Sequence, residues 1–349
     1  MTTRTRLLVA LFGAFVIATV SVAAQGHSSY HAPRTPWGEP DLQGIYNGND
    51  LQGVPMQRAE TVGTRTVLND EEFRQRVAQR DNLLKSDNEE FDLDNSEKFE
   101  RFGAVGGPVS PPPHWLERSK NVSRLASFVI DPPDGRLPPM TPEAQKRQQE
   151  QQAAQKARRA ALRGREADTY TDRSLYDRCI SLGPLGSMTP KIYNSGNRIV
   201  QGPGWVAFSN EMIHETRIIS TDGRSNVDSK IKAWMGNSVG HWENDTLVVE
   251  TRNVRPEMAI QGAPLSDEGH LIERFTRVDA DTLEYKLTVD DPKNWTKPWT
   301  MMMPLPRQDD YGFFEYACHE GNYTMFNILS GARADERKAT EATKGEQGR

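Results

Sequence analysis

Residues 316 to 323 read YACHEGNY and place a cysteine, a histidine, a glutamate and two tyrosines in eight positions. A histidine beside a carboxylate has the parts of a general base and of the group that orients it. We therefore predict that His319 acts as base or acid, with Glu320 or Asp177 orienting it. Adjacent residues of a strand point to opposite faces, so Glu320 can reach His319 only where the strand ends. Gly321 is consistent with such an end.

The chain has two cysteines, Cys179 and Cys318. In an oxidising compartment they are expected to pair, and two buried thiols are the alternative. A disulfide would set their Cα atoms about 5–6 Å apart. It would then bring His319 beside Asp177 and Arg178, in a cluster suited to a carboxylate- or hydroxyl-bearing ligand.

Other polar residues complete the predicted site. His214, in the sequence IHET, is the predicted second proton-transfer group. Arg178 or Arg274 would hold an anionic part of the substrate, because a guanidinium binds carboxylates through paired hydrogen bonds. The side chains predicted to contact the substrate are those of Tyr193, Tyr316 and His241, with Tyr176 nearby.

A metal site is another use for such residues, because histidine and glutamate bind zinc. The five histidines from His114 onward show neither H-x-H nor H-x-x-x-H spacing, so we predict no metal. The sequence also lacks a P-loop, a dinucleotide fingerprint, a C-x-x-C pair and a G-x-S-x-G nucleophile motif. We therefore expect no cofactor and chemistry that is not redox.

The N-terminal sequence predicts export. Arg4 and Arg6 precede an apolar run from Leu7 to about Val20, and small residues follow up to Ala24, as in a secretory signal cleaved after Ala24. A retained membrane anchor is the alternative, although a span needs roughly 20 apolar residues. We predict a secreted or periplasmic protein with no membrane span after signal removal.

Charge bears on the class of partner. The net charge is −5 and the basic residues form no long stripe, so nucleic acid is not an expected partner. A small molecule is the predicted substrate or ligand, and the sequence carries no signal of oligomeric state.

The elements that would position these residues are mainly strands. From Arg198 onward, β-branched and aromatic runs alternate with turns rich in Asp, Gly and Asn, which is typical of an antiparallel meander. In TLEYKLTV (282–289) apolar and polar residues alternate, which predicts one buried face. Eight or nine such strands favour an up-and-down barrel of calycin or lipocalin type, or a strongly curved sheet.

Two strands break this alternation. In HLIERFTRV (270–278) and EMIHETRII (211–219) neither face is wholly apolar. An ionisable group therefore points into the barrel whichever face is inward, and a buried charge needs a partner. We predict that these strands supply partners for one another, or else that they form a structural network of ion pairs at strand edges.

The predicted organisation has five parts. A helix is expected from Asp70 to Lys85, where Asn69 or Asp70 is the N-cap, and another from Pro142 to about Arg163. The parts are a signal peptide (1–24), an extended N-terminal arm with one helix (25–120), a strand plus a charged surface helix (121–170), a β-meander barrel domain (171–335) and a disordered tail (336–349).

Several longer stretches of the sequence resemble those of a known family. With YDRCISLGPLGSM, GHWENDTLVVETRN and YACHEGNYTMFNILSGARADE, the chain resembles a large family of exported bacterial proteins of unassigned function, over nearly all of its mature length. The resemblance implies export but no activity. LQGIY also resembles the G-x-W opening of lipocalin-type barrels with Tyr46 in place of Trp, which is an analogy of fold only. Lipocalin-type barrels include carriers and non-redox enzymes such as hydratases and cyclases.

These observations favour an exported enzyme that acts on a small organic molecule by acid/base chemistry, as a lyase, isomerase, cyclase or hydrolase. The alternative is a periplasmic, lipocalin-like binding protein without turnover. A third reading is a structural or interaction protein of the envelope, which would use the charged helix and the N-terminal arm.

Overall fold

The computed structural model describes residues 30–90, 116–161 and 167–347. The predicted signal peptide lies outside these residues. His31–Arg349 form one compact unit. Among the described helices, none is long and apolar enough to cross a membrane.

Ten strands form one curled mixed sheet that makes a half-barrel, in the order β1-β3-β4-β5-β6-β7-β10-β11-β12-β2. Two short strands, β8 and β9, pair separately. The strands are β1 (Gly44–Asn47), β2 (Val129–Asp131), β3 (Gly196–Gly202), β4 (Trp205–Asn210), β5 (Thr216–Ser220), β6 (Asn237–Glu243), β7 (Thr246–Arg252), β8 (Ala259–Ile260), β9 (Ala263–Pro264), β10 (His270–Arg277), β11 (Thr282–Asp290) and β12 (Trp299–Pro306).

The predicted fold class, mainly β with a curved sheet, is confirmed. Residues of β11 alternate strictly between half-buried and buried positions, as the alternation of its sequence predicted. The sheet also curls until β1 approaches the end of β12, where the Gln308 amide donates to the Ile45 carbonyl at 2.8 Å. Tyr46 and Arg307 form an isolated antiparallel bridge at the same place.

The sheet departs from a simple meander in two ways. β5 and β6 run parallel, joined by the single pair Ser220 and Val239, while the other neighbours in the sheet are antiparallel. The two outer strands, β1 and β2, come from the N-terminal part of the chain. Covering the meander in this way satisfies the backbone groups that its edge strands would otherwise leave unpaired.

The described residues include the α-helices α1 (Asp70–Glu90), α2 (Pro142–Ala161), α3 (Gly183–Met188) and α4 (Tyr323–Gln347). Both predicted helix starts agree with the structure. At α1 the Asn69 side chain accepts from the Glu72 amide at 2.9 Å, and at α2 the Thr141 hydroxyl accepts from the Ala144 amide at 3.2 Å.

α4 occupies part of the chain for which the sequence predicts a disordered tail. It extends to Gln347 and so includes most of residues 336–349. Its second half is rich in Ala, Glu, Lys and Arg, which have high helix propensity, so a helix begun beside the body of the protein can continue into solvent.

Side chains fill the inside of the half-barrel. The rings of Phe208 and Phe275 lie 4.3 Å apart between centroids, and those of Phe275 and Tyr285 lie 5.0 Å apart. Trp299 is fully buried beside them in the same core cluster.

The predicted inward charges lie in this core. The side chains of Arg217 on β5 and Glu273 on β10 form a two-pronged ion pair with 5 % and 0 % exposure. The Tyr285 hydroxyl donates to Glu273 at 3.1 Å. The two irregular strands thus supply partners for one another, as predicted.

Candidate functional site

A disulfide joins Cys179 and Cys318, with their Cα atoms 5.7 Å apart, and confirms the predicted pairing. The Asn322 amide group donates to the Asp177 carbonyl at 3.0 Å and to the Cys179 sulfur at 3.3 Å. The segment from Tyr316 to Asn322 is therefore fixed to the turn that ends at Cys179, and α4 begins immediately after it.

A cavity of about 520 Å³ lies beside this bridge. We call it the disulfide cleft, and its polar lining comprises Tyr176, Asp177, Asn194, Glu315, Tyr316, Asn322 and Thr324. It offers carboxylates, amides and hydroxyls over a floor of aromatic rings, which suits a small molecule that carries hydroxyl groups.

Three tyrosines meet at the cleft. The hydroxyls of Tyr176 and Tyr193 lie 2.9 Å apart, and the rings of Tyr193 and Tyr316 stack at 6.4 Å between centroids. Burial raises the pKa of Tyr316 to about 12 and, together with its hydrogen bonds to the other two tyrosines, also raises the pKa of Tyr176. The hydroxyls of Tyr176 and Tyr316 are therefore neutral near pH 7, and a neutral tyrosine hydroxyl can donate a hydrogen bond to a ligand oxygen.

His214 contacts the cleft segment directly. Its Nδ1 lies 2.6 Å from the backbone carbonyl of Tyr316. Because a carbonyl can only accept, Nδ1 carries the proton, and in the neutral imidazole Nε2 has the free lone pair. The side chain is exposed, so Nε2 is accessible from solvent.

The backbone that presents His214 is strained. Ile213 and His214 have φ angles of 63° and 44°, in the left-handed region that a β-branched residue such as isoleucine rarely adopts. Cys179 and Asn194, both at the cleft, also have positive φ angles, of 56° and 51°. Such conformations cost about 1–3 kcal/mol each and persist where the surroundings enforce them, often at functional sites.

Glu211 holds the surrounding chain in place. Its fully buried carboxylate accepts hydrogen bonds from the Asn194 side chain at 2.9 Å, the Tyr311 hydroxyl at 2.7 Å and the Phe314 amide at 3.1 Å. Sequence reasoning missed this residue, although a glutamate within the apolar-flanked stretch SNEMI needs a buried partner in the same way as Glu273.

The structure places His319 and Glu320 in the turn after Cys318, both exposed. In the part of the chain that the structure describes, no side-chain hydrogen bond or ion pair joins His319 to either predicted carboxylate. The Asp177 carboxylate instead pairs with Arg173 at 3.1 Å. The disulfide thus brings the segments together without orienting His319.

The remaining predicted residues divide between two places. Arg178 lies over the ring of Tyr170, with its guanidinium carbon 5.1 Å from the ring centroid. His241 and Arg274 both contact Glu243, at 3.2 and 2.5 Å, on the outward face of β6 and β10. They form a separate surface cluster, because their strands point these residues away from the packed interior.

Among the described residues, no group of three or more His, Cys, Asp or Glu side chains could hold a metal ion. No protein-family model, curated protein or solved structure matches the chain. The function is therefore argued from the geometry of the cleft.

Proposed function

We propose that the chain is an exported enzyme that performs non-redox acid/base chemistry on a small, hydroxyl-bearing organic molecule in the disulfide cleft. The observation that carries this proposal is the hydrogen bond from His214 Nδ1 to the Tyr316 carbonyl, which leaves Nε2 as the proton acceptor. The disulfide and the secretory type of N-terminal sequence support export.

His214, which lies beside the cleft on its Tyr316 segment, and the groups that line the cleft each have a role in this chemistry. His214 removes a proton from the substrate and returns it at another atom, a step worth about 10²–10⁴-fold in rate. The neutral tyrosine hydroxyls donate to the substrate oxygen on which charge develops. Asn194, held by Glu211, and Asn322, held by the disulfide segment, orient the substrate hydroxyls.

The geometry favours His214 over His319 as the base. Nδ1 of His214 is fixed by the Tyr316 carbonyl, and its backbone is held in one conformation by the buried side chains of Met212 and Ile213. His319 is exposed and its imidazole has no such anchor among the described residues. Orientation matters because a general base must meet its proton at hydrogen-bonding distance.

A lipocalin-like carrier would need space within the barrel. The inward faces are occupied by Phe208, Phe275, Tyr285 and Trp299, so the interior offers a ligand little room. If the chain binds a molecule without turnover, the proposed binding site is therefore the same disulfide cleft. The enzyme and the binding protein then share one site and differ in whether the bound molecule is converted.

The tautomer of His214 tests the proposal without a substrate. Nitrogen-15 NMR of the neutral imidazole should show Nδ1 protonated and Nε2 unprotonated. His214→Gln identifies the signal by its loss, and His241→Gln is the matched control, because His241 lies on the outward face of β6 and pairs with Glu243. A neutral His214 protonated at Nε2 would remove the proposed base.

Turnover is tested with panels of hydroxy acids and cyclic alcohols followed by mass spectrometry. His214→Gln should lower the rate of conversion about 100-fold or more, while His241→Gln leaves it unchanged. Native mass spectrometry of exported protein identifies a co-purified molecule. If that molecule is bound in the cleft and released unchanged, the chain is a binding protein.

A further inference from the structure

A second cavity, of about 440 Å³, lies between α1, the chain around residues 51–56 and the loop at residues 189–192. We call it the basic cavity. It shares no lining residue with the disulfide cleft. Its size is that of an ordinary small-molecule site.

Three arginines line the basic cavity, Arg76 and Arg80 from successive turns of α1 and Arg118, and Lys191 lies beside them in the lining. Among its described lining residues there is no aspartate or glutamate. Asp81, outside the lining, pairs with Nε of Arg80 at 2.7 Å, and the lining residues themselves still carry a net positive charge. A cavity lined by one sign of charge attracts ligands of the opposite sign.

The two helix arginines are fixed by backbone carbonyls. Arg76 donates from Nη1 to the carbonyls of Ser123 and Leu125 at 2.9 and 2.6 Å, and Arg80 from Nη1 to that of Ser119 at 2.9 Å. A guanidinium has five N–H donors, so each retains donors for a ligand. Held in this way, both lose little freedom when an anion binds.

Much of the remaining wall is apolar, although Gln52, Gln79, Ser119 and Thr189 also line it. Its apolar part includes Leu51, Val54, Met56, Leu83 and Phe128. A fully hydrated inorganic anion gains nothing from such a wall, whereas a ligand with an apolar body buries surface against it. The combination of fixed guanidinium groups and apolar side chains matches a ligand with a charged head and an apolar remainder.

We propose that the basic cavity binds a small organic carboxylate with an apolar body. The carboxylate contacts the guanidinium groups, because arginine forms short, charge-assisted hydrogen bonds with that group. The apolar body lies against Leu83 and Phe128. This site is independent of the proposed chemistry at His214.

Calorimetric titration of the full chain with octanoate and with 1-octanol tests the proposal, since the two share an alkyl chain and differ in charge. Octanoate should bind about tenfold or more tightly than octanol. Arg80→Gln and Arg118→Gln should each weaken octanoate binding about tenfold and leave octanol binding unchanged. Arg74→Gln is the matched control, because Arg74 lies on the same helix outside the cavity and pairs with Glu71.

Two further variants keep the test decisive if an arginine variant melts early. At pH 6, where Lys191 is protonated, Lys191→Met should also weaken octanoate binding. Leu83→Ser should weaken octanoate binding without affecting the binding of inorganic phosphate. The proposal fails if octanoate does not bind at millimolar concentration, if octanol binds equally well, or if the arginine variants match Arg74→Gln. Phosphate binding as tight as octanoate would show recognition of charge alone and would also overturn it.

Discussion

Lys191 shows how the surroundings of one residue alter its proton affinity. Its ammonium donates to the carbonyls of Ser187 and Thr189 at 2.8 and 3.0 Å. Burial nevertheless lowers the pKa of Lys191 from 10.5 to about 7, an effect that Glu211 partly opposes. Between these values the unfolded chain binds more protons than the folded one, so the contribution of this residue to stability should rise with pH.

We expect the pH dependence of the free energy of unfolding to differ between the wild type and Lys191→Met. The free energy of unfolding of the wild type, minus that of Lys191→Met, should increase from pH 7 to pH 10 and level off near the unfolded pKa of 10.5. Urea unfolding at a series of pH values measures it. Parallel curves for the two proteins would mean that Lys191 keeps an ordinary pKa in the folded state.

At the scale of elements, the ion pair of Arg217 and Glu273 joins β5 to β10 inside the half-barrel. Glu273→Gln leaves the Arg217 charge buried without its partner, so we expect a loss of about 3–5 kcal/mol in the free energy of unfolding. Urea unfolding of the variant measures that loss. The double variant Arg217→Met/Glu273→Leu should lose less, because no uncompensated charge remains.

The outward pair of Arg274 and Glu243 provides the control. Its side chains are 40 % and 46 % exposed, and Glu243→Gln should change the free energy of unfolding far less than Glu273→Gln, because water screens the exposed pair. An equal cost for Glu243→Gln and Glu273→Gln would contradict the assignment of one pair to the interior and the other to solvent.

The same strands show what the sequence predicts about elements. The alternation in β11 and the mixed faces of β10 follow from a period of two, so the buried face and the inward charge were predictable. The parallel pairing of β5 and β6 depends on contacts between distant segments and has no local signal. The tail sequence is ambiguous, because acidic and basic residues are compatible both with solvated chain and with helix.

At the scale of the whole molecule, the pairing of the two cysteines predicts which segments meet at the cleft. The disulfide brings Tyr316 to Tyr176 and Tyr193, as predicted from the three segments alone. The orientation of His214 was not predictable, because it depends on two successive left-handed residues that no sequence pattern marks. The separation of Arg274 and His241 from the cleft depends on the face of the sheet each occupies.

The disulfide itself carries the last prediction. It closes a loop with a sequence separation of 139 residues, and the Cys179→Ser/Cys318→Ser variant should lose about 5 kcal/mol in the free energy of unfolding. The reason is that the unfolded chain gains the freedom the bridge removes. The cleft should also loosen, since the segment from Tyr316 to Asn322 would be attached to residues 176–179 mainly through the Asn322 side chain. The Nδ1-protonated population of His214 should then fall, as nitrogen-15 NMR would show.

Urea unfolding with and without dithiothreitol separates the bridge from the substitution. The reductant should destabilise the wild type to the level of the double variant and leave that variant unchanged. Equal stability of oxidised and reduced wild type would mean that the bridge does not constrain the unfolded chain. An unchanged His214 tautomer in the variant would show that hydrogen bonds alone hold Tyr316 in place, and the cleft would then be independent of the redox state of its surroundings.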